Sequence, residues 1–312
     1  MTSIPQVAVR PVVPTTQPAR RTRDLTGYWF VLPVTIFMLI FLVFPVLFNI
    51  YISFQKWDIL TPPTYRALAN YQFLFGNSDF WQAVLNTILF VILAVPAQMA
   101  LGLLMAVLLN QALVGRAWLR GIVFSPLVVS MAAAGIIFRW LFNGSETAPG
   151  FVAEAFRSIG VAFPNWQLRP GSGAMLILVL MNTWKSAGYC MVIYLAGLQT
   201  VSRDLYEAAA VDGVRSGWQG FRFITWPLLT PTTAILLVTT TIFSFRAFEP
   251  MFVMTNGGPN GETTTIIYYI FLKFQSFAGI AAAAATFLLV GVLALTAVQL
   301  YITRRQEANI YG

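Results

Sequence analysis

The run 25–55 contains no charged side chain, and neither does the run 80–115. Both exceed the roughly 20 apolar residues needed to cross a hydrocarbon layer about 30 Å thick. Helices satisfy their own backbone groups in lipid, so a chain with several such runs folds as a helical membrane protein. Composition agrees: 58% of the 312 residues are hydrophobic and 10% are charged, where a soluble domain is about a quarter charged. The chain has no histidine and a single cysteine, Cys190. That excludes a disulfide framework, cysteine or histidine metal sites and histidine proton relays.

The sequence predicts an all-α membrane protein with six transmembrane helices and both termini cytoplasmic. The spans are expected at 25–55, 81–111, 121–142, 172–198, 227–254 and 278–303, with 271–277 as a lead-in to the last. Residues 1–24 read as a disordered basic cytoplasmic tail, carrying Pro5, Pro11, Pro14, Pro18, Arg20, Arg21 and Arg23. The run that follows is too long for a signal peptide, whose apolar region is about 7–15 residues. The transmembrane domain is 25–305, and 306–312 is a C-terminal tail. Arginines at 10, 116, 120, 203, 215, 222, 304 and 305 then fall on one side, which positive-inside bias assigns to the cytoplasm. The same bias accounts for the net charge of +8 without nucleic acid as a partner. The external segments are 54–80, 143–172 and 255–265, and the first holds an interfacial element rich in Trp and Tyr. Asn86 and Gln98, in the second span, read as interhelical hydrogen-bonding residues.

Between spans four and five lies the stretch 199–227, a cytoplasmic helix–turn–helix elbow. Ser202 is placed to cap a short helix, with Asp204 in its first turn. Glu207, Ala208, Ala209 and Ala210 continue it, and Gly213 after Asp212 supplies the turn. A second amphipathic piece carries Trp218, Phe221 and Ile224 at three-residue spacing, and Pro227 opens the fifth span. Charge excluded from the bilayer core must meet water or protein. By physics alone the stretch is equally a docking surface for a cytoplasmic partner or an amphipathic loop capping the bundle.

The spacing Glu207-Ala208-Ala209, Gly213, Ile224, Pro227 resembles the EAA loop of permease subunits of binding-protein-dependent ABC importers. Trp226 stands where that family commonly has leucine, which alters packing. Asp212-Gly213, Phe223-Ile224-Thr225, Pro227-Leu228-Leu229 and Pro231 are similar to its carbohydrate-uptake branch. Thr255-Asn256-Gly257-Gly258-Pro259 with Thr263 resembles the external loop of MalF-type subunits, and Tyr28-Trp29-Phe30 through Pro33 and Pro45 to Ser53-Phe54 is similar to the same branch. The resemblance covers 27–303 and extends to sugar and glycerol-3-phosphate or glycerophosphodiester permeases. It implies a multi-pass protein of the bacterial plasma (inner) membrane that pairs with a second permease subunit as a heterodimer. It also implies two cytoplasmic ATPase subunits docked on the elbow and an extracytoplasmic solute-binding protein. This chain then binds no cofactor and is not an enzyme, since ATP and magnesium belong to the ATPase. Lys185-Ser186 is preceded by Trp184, where a phosphate loop requires glycine.

For a cargo pathway the sequence offers Asn182, Lys185 and Tyr189 on one face of span four, and Phe245, Arg246 and Glu249 in span five. Aromatic rings with polar groups suit a sugar, and the two cations suit a phosphorylated polyol. Lys185 equally fits snorkelling or pairing across a helix interface, and Arg246 with Glu249 a local ion pair. An ion-coupled secondary transporter is the main competitor. It requires carboxylates or histidines deep in the helices, and no Asp or Glu falls at a predicted span centre. A membrane enzyme would need a nucleophile–base or metal constellation, and none is visible.

Overall fold

The computed structural model describes residues 26–111, 114–171, 173–214 and 217–311, with the side chains of 26, 27, 304 and 306–311 left undescribed. The predicted tail 1–24 and Arg215 therefore lie outside the described residues. The chain falls into two compact units that divide between Phe48 and Asn49.

The first unit holds α1 (Thr26–Met38), a π-helical turn (Leu39–Val43) and the start of α2 (Phe44–Ser53). Pro45 has no N–H to offer the carbonyl of Phe41, so a single wider turn absorbs the mismatch without ending the helix. Tyr28–Ser53 is long and apolar enough to cross a membrane.

The second unit begins with a short antiparallel pair, β1 (Gln55–Lys56) and β2 (Thr64–Tyr65). It departs from the all-helical expectation by this one ribbon. In its turn, the Thr61 hydroxyl (2.7 Å) and N–H (2.8 Å) donate to Asp58, and these bonds hold the Asp58 carboxyl below its ordinary range. α3 (Ala69–Gly76) leads into α4 (Ser78–Leu109), whose first turn is capped by Asn77 Oδ1 accepting from Phe80 N at 2.9 Å. Then come α5 (Arg116–Val128), α6 (Met131–Leu141), α7 (Phe151–Ser158) and α8 (Ala174–Gln199). The elbow follows as α9 (Arg203–Val211), α10 (Trp218–Gly220), a π turn (Phe221–Thr225) and α11 (Trp226–Leu228). The chain closes with α12 (Thr230–Phe245), a π turn (Met251–Thr255), α13 (Ile266–Phe274) and α14 (Ala278–Tyr311).

Four helices are long and apolar enough to span: Tyr28–Ser53, α4, α8 and Ala278–Thr303. Two bent pairs bring the number to as many as six. The expected third span is broken, with α5 and α6 at 96°. Pro126 weakens the last turn of α5, Val129 is extended, and Ser130 Oγ caps α6 by accepting from Ala133 N. The expected fifth span is also shorter than 227–254. Residues 218–228 lie at 65° to α12, so α12 starts at Thr230 with Pro231 in its first turn, one turn after Pro227. It ends at Phe245 in tighter three-residue turns, with Arg246 N donating to Phe243 O and Ala247 N to Ser244 O. The expected lead-in 271–277 is part of a separate helix, α13, and α14 runs past Thr303 to Tyr311.

The core is built where α4 and α8 run against each other. A Cβ on Gly102 would fall 2.4 Å from Cys190 Cβ, so the two backbones meet at a glycine. Val95, Met99, Cys190, Met191, Tyr194 and Leu198 fill this seam, with Leu229 and Leu236 closing it from the α11–α12 side. A second cluster, including Leu74, Phe80, Ile266, Tyr269 and Ala283, ties α3 and α13 to the bundle.

Candidate coupling elbow and translocation pathway

The elbow is a tight backbone construction on an exposed face. α9 ends in a six-to-one motif: Val214 N donates to Ala209 O (2.9 Å) and Gly213 N to Ala210 O (3.2 Å). Gly213 sits at φ +87°, the left-handed conformation this stop requires. Gly217, at φ +91° and ψ −128°, opens the second arm in a region open essentially to glycine alone. The arms are pinned together by Tyr206 Oη and Thr225 Oγ1 at 2.8 Å. Ser202 is extended ahead of α9 but makes no side-chain cap bond, so the predicted cap is absent and Asp204 alone complements the first turn.

Glu207, Ala208, Asp212 and Gly213 are exposed, while Ala209, Ile224 and Pro227 are half-buried. Around them the elbow displays Val211 at 88%, Trp218 at 74% and Phe223 at 65% exposure. Trp218 stacks on Phe221 at 5.7 Å, and Phe221 leans on Trp226 at 6.3 Å. The π turn 221–225 was not legible. It shifts Ile224 off the regular three-residue face expected for it.

The segment 255–265 is a hydrogen-bonded knot. Asn256, Gly257, Asn260 and Gly261 all have positive φ, and the Thr263 hydroxyl bridges Thr255 Oγ1 and Gly258 O at 2.7 Å each. Asn86 of α4 holds it from outside, donating to Gly261 O (2.7 Å) and Thr264 O (3.0 Å). Asn86→Leu removes both ties, each worth about 1 kcal/mol. Limited proteolysis is expected to cut 255–265 faster in that variant; an unchanged rate would show that the knot holds itself.

The expected pathway residues separate into three groups. Asn182, Lys185 and Tyr189 do share one face of α8. Tyr189 and Phe245 pack against the same core cluster, and Tyr189 meets Phe243 edge-on at 6.3 Å. Arg246 caps the end of α12 and Glu249 lies beyond it, both exposed. They form no ion pair with each other; among the described residues the ion pair within 4 Å is Arg157–Glu154. Lys185 is buried, 8% exposed. Its ammonium donates to the carbonyls of Pro126 (3.2 Å), Leu127 (3.1 Å) and Val129. In this conformation all three of its donors are used by main chain, leaving none for cargo. Gln98 is buried and donates to Ser244 Oγ at 3.4 Å, the interhelical role read from sequence. No cluster of three or more metal-ligating side chains occurs among the described residues.

Residues 68–308 match the family described as binding-protein-dependent transport system inner membrane component. The chain belongs to that family. The permease is 34% identical over 296 residues to a probable ABC transporter permease of Pyrococcus horikoshii, covering 92% of this chain and 99% of that protein. It is 33% identical over 280 residues to the trehalose/maltose transport system permease protein MalF of Thermococcus litoralis, covering 89% and 93%. It also matches the crystal structure of a bacterial ABC transporter that imports the acidic polysaccharide alginate. The TM-score is 0.76 at 27% identity, over 91% of this chain and 96% of that one. A bacterial alginate ABC transporter in complex with an alginate pentasaccharide-bound periplasmic protein also matches, at TM-score 0.76 and 27% identity. The permease is thus a multi-pass component of the plasma membrane and part of a binding-protein-dependent ABC importer.

Sequence reasoning missed two features of the permease. One is Gly217, whose backbone at φ +91° and ψ −128° sets it apart from the other glycines of the sequence. The other is the partner of Lys185, since three main-chain carbonyls leave no signature in side-chain types. Pro126 gives no direct signal for them, since its missing N–H frees the carbonyl of Ile122, which accepts from Ser125 Oγ instead.

Proposed function

We propose that this permease forms half of the pore of an ATP-driven importer for a sugar or related polyol, with a second permease subunit as the other half. The α5–α6 pair counts as one crossing and α12 as another, giving six spans with both termini in the cytoplasm. The elbow 199–227 then faces the cytoplasm and docks an ATPase subunit, which supplies ATP and magnesium. The observation that carries this reading is the elbow itself. Two glycine-dependent turns and a Tyr206–Thr225 clasp hold Val211, Trp218 and Phe223 out in the open beside Glu207. Apolar side chains exposed on a rigid, charged frame serve a protein partner better than water. Glu207 and Asp212 anchor that partner, while Ala208 and Ala209 let its backbone approach.

The relatives named for trehalose, maltose, lactose and alginate transport support a carbohydrate cargo. Asn182, Tyr189 and Phe245 fit the pathway, with rings for the apolar faces of a sugar and an amide for its hydroxyls. Arg246 and Glu249 fit its exposed end, where an extracytoplasmic solute-binding protein delivers cargo.

The test is purification of the tagged chain from its host in mild detergent, with mass spectrometry of the co-purifying chains. A second permease and an ATPase are expected, with ATP hydrolysis stimulated by a sugar-loaded binding protein. Repeated recovery of the chain alone, with ion-gradient-driven uptake in vesicles, would favour a secondary transporter.

A further inference from the structure

The buried ammonium of Lys185 and the break between α5 and α6 form one construction. In a continuous helix the carbonyls of Pro126 and Leu127 would accept from the N–H groups of Ser130 and Met131. The extended Val129 removes those donors, and Ser130 turns its hydroxyl to Ala133 N to start α6. Three carbonyls, of Pro126, Leu127 and Val129, are left inside the bundle, where unpaired main chain is costly. A lysine ammonium carries three donors and no acceptor, and Lys185 gives one to each. Among the described residues no carboxylate pairs with it.

One turn along α8, a Cβ on Gly188 would fall 2.6 Å from Val123 O. α5 is therefore held to α8 twice, by close backbone contact at Gly188 and by the ammonium at Lys185. The far side of the break is tied in turn. Arg139 of α6 donates to Val253 O at 3.2 Å, and a Cβ on Gly135 would lie 3.1 Å from Val253. Val253 belongs to the π turn Met251–Thr255, which runs directly into the knotted loop 255–265. In the other direction α8 ends at Gln199, just before α9 begins the elbow at Arg203.

We propose that Lys185 is a positioning residue that makes the break between α5 and α6 travel with α8, so that displacement of the elbow reaches α6 and the 251–265 segment. α8 acts as the rod, the three carbonyl bonds as the joint, and Arg139 as the next link. The inference rests on the reading of the elbow as an ATPase dock. Its geometric half stands apart from that reading.

The experiment uses the full importer purified from its host into nanodiscs, with native, Lys185→Met, Lys185→Arg and Arg139→Met chains. Amide hydrogen exchange is read over 127–138, and sugar uptake per ATP hydrolysed is read in proteoliposomes. Lys185→Met is expected to speed exchange across the break at least tenfold and to lower uptake per ATP by a similar factor. Lys185→Arg, which keeps charge and donors, is expected to restore most of both. Arg139→Met is expected to lower uptake per ATP while leaving exchange at 127–130 unchanged. Native exchange in Lys185→Met would overturn the joint, whether or not ATP drives the protein. Faster exchange with native uptake per ATP would overturn its role in transmission. If Lys185→Met does not assemble, native uptake per ATP in Arg139→Met overturns the transmission and reduced uptake supports it. Absence of ATP-driven uptake in the native complex would instead defeat the importer reading, and the exchange result would still decide the joint.

Discussion

Replacing Gly213 with proline is expected to leave a chain that inserts in the membrane and no longer supports ATP-driven uptake. Gly213 donates its N–H to Ala210 O and sits at φ +87°. Proline has no N–H and is fixed near φ −65°. The bond is worth about 1 kcal/mol, and the ring cannot reach φ +87° at all, so the native turn is lost rather than strained. Space is not the obstacle, since a Cβ at Gly213 would meet nothing within 4 Å. Gly213→Ala, which keeps the N–H, should therefore retain part of the uptake. Membrane fractionation with immunoblotting separates failed insertion from failed coupling. Native uptake by the proline variant would show that the turn is dispensable and that the elbow does not dock through it.

Gly102→Leu is expected to produce a large loss of stability in the bundle. Even its Cβ would stand 2.4 Å from Cys190 Cβ, 2.9 Å from Met191 N and 3.0 Å from Ala187 O. Two of those three atoms are backbone of a 26-residue helix and cannot swing away. Overpacking of this kind costs about 1–3 kcal/mol or more, and it falls on the α4–α8 seam that organises the core. A clear fall in melting temperature and in monodisperse yield is expected in detergent. Gly291→Ala is the control, because nothing lies within 4 Å of a Cβ there. Cys190→Gly in the Gly102→Ala background should recover part of the loss, as a coupled pair does. A Gly102→Leu chain that melts like the native one would mean that α4 and α8 are not in such close contact.

The elbow and the runs of lipid-facing helix were legible because each is written in local chemistry. Glu207 to Gly213 carries helix formers, a stop and charge at fixed spacing, and the charge-free runs 25–55 and 80–115 need no tertiary information. What escaped was set by contacts distant in sequence. Phe271–Phe277 reads as a lead-in to the last span through its aromatic residues, yet it carries Lys273, Gln275 and Ser276, and α13 ends at Phe274. The separation of α13 from α14 follows from packing of Ile266 and Tyr269 against Phe80 and Ala283. The break between α5 and α6 exposes carbonyls that are satisfied by Lys185, 59 residues from Pro126. The expectation that Lys185 faces cargo rested on a general rule about intramembrane charge. That rule names a partner without specifying whether it is solute or main chain.

The most direct measurement is site-specific photo-cross-linking from Val211 and Trp218, the two most open apolar side chains of the elbow, in membranes of the native host. A cross-link from both positions to a nucleotide-binding ATPase chain, lost in the Gly213→Pro variant, is the expected result. Cross-links to lipid alone from both positions, in membranes where the importer is active, would contradict docking through 199–227.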